Sequence, residues 1–208
     1  MKFYDCTPAP SPRRVRVFLA EKGLTLETVQ VDLAAGEQYS EAFRGINPRC
    51  TVPVLELADG TCLNETLSIC SYLESCHPSP PLMGRDALER ALVLQWNARI
   101  EFEGLMPVAE AFRNRAQAFR DRALTGPRPV AQIPALVERG HHGAEAFFDM
   151  LDAHLADSPY VVGSHYSLAD ITALVAVDFA GWIKLGIGER RHLQRWHRSV
   201  SARPSAAA

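Results

Sequence analysis

Apolar and polar positions follow two regimes along the chain, and the change comes near residue 80. In the first regime, short apolar runs are interleaved with helical patterns. Residues 2–5 read as a short strand, followed by the proline-rich turn Thr7-Pro8-Ala9-Pro10-Ser11-Pro12. Ser11 before Pro12 is a helix-start signature, a hydroxyl N-cap with proline at the first helical position. Val15, Phe18 and Leu19 continue at helical spacing, and Lys22-Gly23 ends the helix. Residues 26–31 give a second strand, and 37–44 a short, irregular helix. Residues 54–57 and 61–63 flank Asp59-Gly60, a strong hairpin signal. A further helix begins near Glu65 and carries Leu67, Ile69, Cys70 and Leu73.

The order is β-α-β-α-β-β-α, with a helix crossover joining the first two strands and a hairpin the last two. That is the thioredoxin-like order. His77-Pro78-Ser79-Pro80-Pro81 then breaks the pattern, because proline can neither continue a helix nor donate to a sheet. Everything beyond it reads as helix: 85 to about 123, bent near Gly104 and Pro107; 134–156; 171–182; and 190–202. Ser167-Leu168-Ala169-Asp170 has capping-box spacing ahead of the third of these. The expected organisation is an α/β domain with thioredoxin-like order over 1–77, a linker over 78–84, and an all-helical bundle over 85–208.

Composition removes several classes of partner. A formal net charge of −2 gives no electrostatic reason to bind nucleic acid or a membrane surface. The arginines around residues 113–122 lie among acids, as on a solvated helix face. The most apolar stretch, 171–183, is interrupted by Asp178 and is shorter than the ~20 residues of a membrane span. The N-terminus is too polar for a secretory h-region. Five cysteines with no metal-type spacing read as free thiols in a reducing compartment, and a cytoplasmic location is expected. His141-His142 carries no metal expectation, since adjacent histidines do not share a helix face.

Several motifs occur in one order. They are Ser11-Pro12-Arg13-Arg14-Val15-Arg16-Val17 ending in Glu21-Lys22-Gly23, Asn47-Pro48-x-x-x-Val52-Pro53-Val54-Leu55, Asp59-Gly60, and Asn64-Glu65-Thr66-Leu67-Ser68-Ile69. The helical half adds Tyr166-Ser167-Leu168-Ala169-Asp170-Ile171 and Trp196 through Arg203-Pro204. Together they resemble the cytosolic glutathione transferases over the whole chain. The resemblance implies glutathione as co-substrate, no metal or nucleotide, a small hydrophobic electrophile as second substrate, and a homodimer.

It also implies roles for particular residues, each with an ordinary structural alternative. In the family the proline matching Pro53 is cis, and Val52 would offer its backbone N–H and C=O to the cysteinyl part of glutathione, as an added strand does. The alternative is a proline that simply starts a strand. Glu65 and Thr66 open a helix, where free N–H groups and the dipole favour a carboxylate. Thr66, where the family more often has serine, would take the γ-glutamyl carboxylate, and Glu65 the α-ammonium. Plain capping by Thr66 or Asn64 is the alternative. The family commonly has glycine and then lysine or glutamine before Val-Pro, whereas this chain has Cys50-Thr51. Arg49 is the candidate for the glycyl carboxylate, or else a solvated arginine.

The activating residue departs further from the family pattern. The usual serine or cysteine slot holds Ala9, which has no side-chain donor. Two positions on stands Ser11, with Thr7 a second candidate from the same turn. Lowering a thiol from ~8.5 by about two units takes roughly 2.7 kcal/mol, within reach of a hydroxyl donor at a helix N-terminus. Ser11 is therefore a candidate catalytic residue or a helix cap. Two further readings fit the same fold: a non-catalytic glutathione-binding or interaction module, and a glutathione-dependent thiol oxidoreductase or peroxidase using Cys6 or Cys50. Trp96, Phe102, Met106 and Phe112 line an electrophile pocket or pack the helical core.

Overall fold

A computed structural model of the chain describes residues 1–208. It divides into two compact units. The first holds Met1–Pro80 with the short segment Thr125–Arg128 and Ala208; the second holds Pro81–Leu124 and Pro129–Ala207.

The first unit is a four-stranded sheet in the order β2-β1-β3-β4, with β1 at Lys2–Asp5, β2 at Glu27–Gln30, β3 at Val54–Glu56 and β4 at Cys62–Asn64. β1 runs parallel to β2 and antiparallel to β3, and β3 and β4 form the expected hairpin. Helix α1 spans Pro10–Glu21, α2 spans Glu41–Ile46 after a 3-10 turn at Glu37–Tyr39, and α3 spans Thr66–Cys76. Because strand side chains alternate, the β1–β3 register places Tyr4 opposite Val54 and Phe3 opposite Leu55. Tyr4 and Val54 pack with Val31 and Phe43 of α2. Phe3 and Leu55, wholly buried, point the other way, and α1 and α3 pack together with Val15, Phe18, Ile69 and Leu73 buried.

One expectation at α1 needs correction. Ser11 is not its N-cap: Ala9 is, with extended backbone and no capping side chain, and Pro10 takes the first helical position. The Cys6-to-Ala9 turn, closed by the Ala9 amide on the Cys6 carbonyl at 2.8 Å, starts the helix two residues early. The other end of α1 is fixed by Lys22. Its ammonium is fully buried, 2.6 Å from a carboxylate oxygen of Glu74 on α3, and it donates to the carbonyls of His77 and Pro80. That one cation ties α1, α3 and the start of the proline-rich segment together. The Ser79-Pro80 peptide in that segment is cis.

The second unit is helical. Helix α4 (Ala87–Arg99) passes through a π-helical stretch, Ile100–Leu105, into α5 (Met106–Arg115); α6 spans Ala135–His154, α7 Leu168–Ala180 and α8 Arg191–Ser201. The π stretch follows from Pro107, whose ring would collide with the carbonyl four residues back. The backbone widens instead, so that the Met106 amide bonds the Glu101 carbonyl. Glycines let α6 come close to α5: a Cβ on Gly140 would lie 2.5 Å from the Pro107 carbonyl oxygen. Helix α7 is buried along nearly its whole length, and its capping box is formed by Ser167 and Asp170 as the spacing predicts. The Asp170 carboxylate accepts from the Val161 and Ser167 amides, the Ser167 hydroxyl and the Trp196 indole. It fastens the α7 start to α8 and to the preceding loop.

Candidate functional site

The β3–β4 hairpin brings the two candidate binding motifs to one end of the sheet. Val54 pairs with Asn64, so the chain enters β3 through Val52-Pro53 beside the point where it leaves β4 into Glu65-Thr66. The Val52-Pro53 peptide is cis. Val52 lies just outside the ladder, and no backbone hydrogen bond within the chain engages its amide or carbonyl.

Across from it, α3 begins without a cap. Glu65 occupies the N-cap position at φ 69°, ψ 126°, and no side chain bonds the first amides. The first intrahelical bond is donated by Ile69 to the Glu65 carbonyl, so the amides of Thr66, Leu67 and Ser68 have no intrahelical acceptor. A positive φ at a non-glycine residue costs on the order of 1–3 kcal/mol and collects at ligand-binding positions. Neither Thr66 nor Asn64 caps the helix. Thr66, 4% exposed, turns its hydroxyl to the Ser11 carbonyl at 3.3 Å. The Glu65 carboxylate stays exposed, 3.9 Å from the exposed Arg49 guanidinium.

That Thr66–Ser11 bond brings the starts of α1 and α3 together. In the first turn of α1, Pro10 and Pro12 have no N–H, and Arg13 donates to the Ala9 carbonyl at 3.3 Å. Ser11 therefore contributes the only free amide there, alongside its half-buried hydroxyl, which lies 3.5 Å from the Arg14 guanidinium. The structure thus links Ser11, Thr66, Glu65 and Arg49 in sequence of contact, with Val52 and Pro53 on the facing strand entry. Thr7 is separate: its amide and hydroxyl both donate to Gln30 Oε1 and its carbonyl accepts from Arg16.

The loop before Val52 holds what sequence reading missed. Asn47, wholly buried, donates from Nδ2 to the Thr51 carbonyl and hydroxyl, and its Oδ1 accepts from the Arg49 amide. Cys50 sits at φ 56° inside that loop. An asparagine ahead of Pro48 with a threonine four residues on is a turn signal that could have identified it. Of the redox candidates, Cys50 is buried with its thiol toward the Pro48 carbonyl, and burial pushes the Cys6 thiol up. All five cysteines are free.

Comparison with known proteins supplies the family. Residues 9–76 match the glutathione S-transferase N-terminal domain and 106–204 the C-terminal domain. Glutathione S-transferase 2 of Saccharomyces cerevisiae is 34% identical over 99% of this chain and 87% of its own length. The chain belongs to the glutathione S-transferase family. The crystal structure of Gtt2 from the same yeast superposes with a TM-score of 0.91 at 33% identity, covering 100% of this chain and 99% of that one. A glutathione S-transferase domain-containing protein from Marinobacter aquaeolei VT8 gives 0.89 at 37%, covering 99% of each. The thioredoxin-like order followed by a helical domain is accordingly the fold of this transferase family. A more distant relative, at 26% identity over 95% of this chain and 89% of its own length, is named disulfide-bond oxidoreductase YfcG of Escherichia coli.

The helical unit answers the remaining candidates. Trp96 stacks on His154 with ring centroids 4.0 Å apart and is a packing residue. Phe102 and Met106 are exposed. Phe112 joins Phe119, Phe179 and Trp182 in an edge-to-face aromatic cluster. No group of three metal-ligating side chains is present, and no helix is long and apolar enough to cross a membrane.

Proposed function

We propose that this transferase conjugates glutathione to a small hydrophobic electrophile, with 1–77 as the glutathione-binding domain, 78–84 as linker and 85–208 as the helical domain. The observation that carries the reading is the uncapped start of α3. Three amides without intrahelical acceptors, a threonine hydroxyl beside them and an exposed carboxylate at the N-cap suit a group carrying both a carboxylate and an ammonium. The γ-glutamyl end of glutathione is such a group. Thr66 takes the carboxylate through its amide and through its hydroxyl once that is released from the Ser11 carbonyl, Glu65 takes the ammonium, and the free Val52 amide and carbonyl pair with the cysteinyl backbone. Arg49 reaches the glycyl carboxylate.

Ser11 then donates its amide and hydroxyl to the sulfur, favouring the thiolate over the thiol. The thiol gives its proton up to water, and the thiolate attacks the electrophilic carbon. A carbon–sulfur bond forms and the leaving group departs with its bonding pair, as chloride does from an activated aryl chloride. The protein positions the anion and holds its charge.

Titration with glutathione tests the site. Thr66→Val is expected to weaken binding about tenfold, equivalent to ~1.4 kcal/mol. Ser11→Ala is expected to leave binding of S-methylglutathione intact while raising the pKa of bound glutathione. Full rate and an unchanged pKa in Ser11→Ala would remove the hydroxyl from the mechanism and leave the backbone amide, which the variant keeps, as the only donor there. Binding without turnover of any electrophile would favour the interaction-module reading, and absence of glutathione binding would overturn the site.

A homodimer in the cytoplasm, acting in detoxification, completes the proposal. Leu88, Leu94 and Phe102 are exposed apolar side chains on α4 and the π stretch, surface that a second copy would cover. Sedimentation of wild type and Phe102→Glu checks it, with a shift to monomer expected in the variant.

A further inference from the structure

The turn before α1 is held by a polar network with no direct part in the glutathione site. Asp5, 1% exposed at the end of β1, is its hub. One carboxylate oxygen accepts from Arg16 of α1 at 2.6 Å and the other from Gln30 Nε2, at the end of β2, also at 2.6 Å. The two partners then reach Thr7 from opposite sides. Gln30 Oε1 accepts from the Thr7 amide and hydroxyl, each at 2.9 Å, and Arg16 donates its second nitrogen to the Thr7 carbonyl at 2.8 Å. Every polar group of Thr7 is engaged. The orientation of Gln30 is fixed too, since only its oxygen can face two donors while its NH2 faces a carboxylate.

The network sits on a turn that already has local restraints of its own. The turn is short, already closed by the Ala9 amide on the Cys6 carbonyl, and stiffened by Pro8 and Pro10. It leads directly into the start of α1, where two prolines leave Ser11 as the only free amide and no side chain caps the helix. The Ser11 amide and hydroxyl are therefore the donors at this end of α1, and a tilt of the helix start moves both.

We infer that Asp5, Arg16 and Gln30 are positioning residues, which lock Thr7 between sheet and helix so that the Ser11 amide and hydroxyl point at the thiol of glutathione. The inference rests on the site proposed above. Its physical content is preorganisation: donors held in place stabilise an anion without reorganising when it forms.

The test compares thiolate formation with binding. For wild type, Arg16→Met, Arg16→Lys, Gln30→Leu and Thr7→Val, the pKa of bound glutathione is read from thiolate ultraviolet absorbance and from the pH profile of kcat/KM with an aryl chloride. Affinity for S-methylglutathione, which has no thiol to ionise, is measured in parallel. Gln30→Leu and Arg16→Met are expected to raise the pKa by about one unit, a tenfold loss of thiolate below it, with S-methylglutathione affinity unchanged within twofold. Thr7→Val should give a smaller shift, and Arg16→Lys should recover part of the loss. Gln30→Leu and Thr7→Val change no charge, so a shift in them arises from positioning and not from the arginine's field. They also keep the test decisive should Arg16→Met fail to fold.

An unchanged pKa in the neutral variants, or a parallel fall in affinity for both ligands, overturns the inference. Absence of a lowered thiol pKa in wild type would instead overturn the role given to Ser11.

Discussion

Replacing Lys22 by methionine removes the cation that joins α1, α3 and the start of the linker. Its side chain is fully buried, its Glu74 partner is 8% exposed, and their charged atoms lie 2.6 Å apart. Losing one member of a buried pair costs about 3–5 kcal/mol, because the other charge remains without its counterpart. Glu74 keeps slight access to water, which favours the lower end. The His77 and Pro80 carbonyls also lose their donor, and an unmet buried acceptor costs about 1–3 kcal/mol. These terms overlap, so a total near 4 kcal/mol is expected. For a chain of this length that lowers Tm by roughly 8–16 °C. Urea titration followed by far-ultraviolet circular dichroism measures it. In the double variant Lys22→Met/Glu74→Leu the orphan charge disappears, and about half the loss should return. A single-variant cost under 1 kcal/mol, or a double variant no better than the single, would refute the reasoning.

Other expectations are more local. Gly140→Ala places a methyl 2.5 Å from the Pro107 carbonyl oxygen and 2.8 Å from the Ala111 amide nitrogen. It should cost at least about 1–3 kcal/mol by overpacking, while Gly45→Ala in α2, with nothing within 4 Å, should stabilise by ~0.5–1 kcal/mol; both are read from chemical denaturation. Burial pushes the Asp170 carboxyl up to about 6, against the pull of its backbone and side-chain donors. The fold then holds that proton where the unfolded chain, near 3.8, has lost it. This contribution to stability is full below pH ~4, declines as pH rises towards 6, and on the order of 3 kcal/mol is gone above that. Denaturation midpoints between pH 4 and 7 should show the decline in wild type and lack it in Asp170→Asn. Alkylation of the native protein with iodoacetamide, mapped by mass spectrometry, should label exposed Cys76 first and spare buried Cys6, Cys50 and Cys70.

The fold is legible in the sequence because its signals are local. The apolar pair Phe3-Tyr4 marks the first strand, Asp59-Gly60 turns a hairpin, and Ser167 with Asp170 closes a capping box; each needs only neighbours in sequence. The start of α1 misleads a local reading for the same reason. Ser11-Pro12 is a good local N-cap, but Pro10 also suits the first helical position. The choice went to Ala9 through the turn that its amide closes on Cys6, and the resulting exposed amide at Ser11 is invisible to a cap rule. Lys22 has the look of a solvated helix end. Its burial depends on Glu74 and Pro80, which lie more than fifty residues away.

The candidate site divides along the same line. Val52-Pro53 and Glu65-Thr66 can be recognised as motifs, yet the property that makes them a candidate site is a set of missing hydrogen bonds. Capping by Thr66 or Asn64 is the natural expectation for a hydroxyl or amide at a helix start. It fails because Glu65, at φ 69°, turns the chain, and because Thr66 finds an acceptor at Ser11. That bond spans 55 residues and exists only once α1 packs beside α3. A cap that satisfied α3 internally would have stabilised the helix by about 1 kcal/mol. Leaving its amides open is the local weakness by which a folded chain keeps donors ready for a ligand. Thr66 then has two duties in one side chain: it joins the starts of α1 and α3, and it stands beside the donors left free. A substitution there should therefore move binding and the Ser11 geometry together, whereas one at Asp5, Arg16 or Gln30 should move the thiol alone.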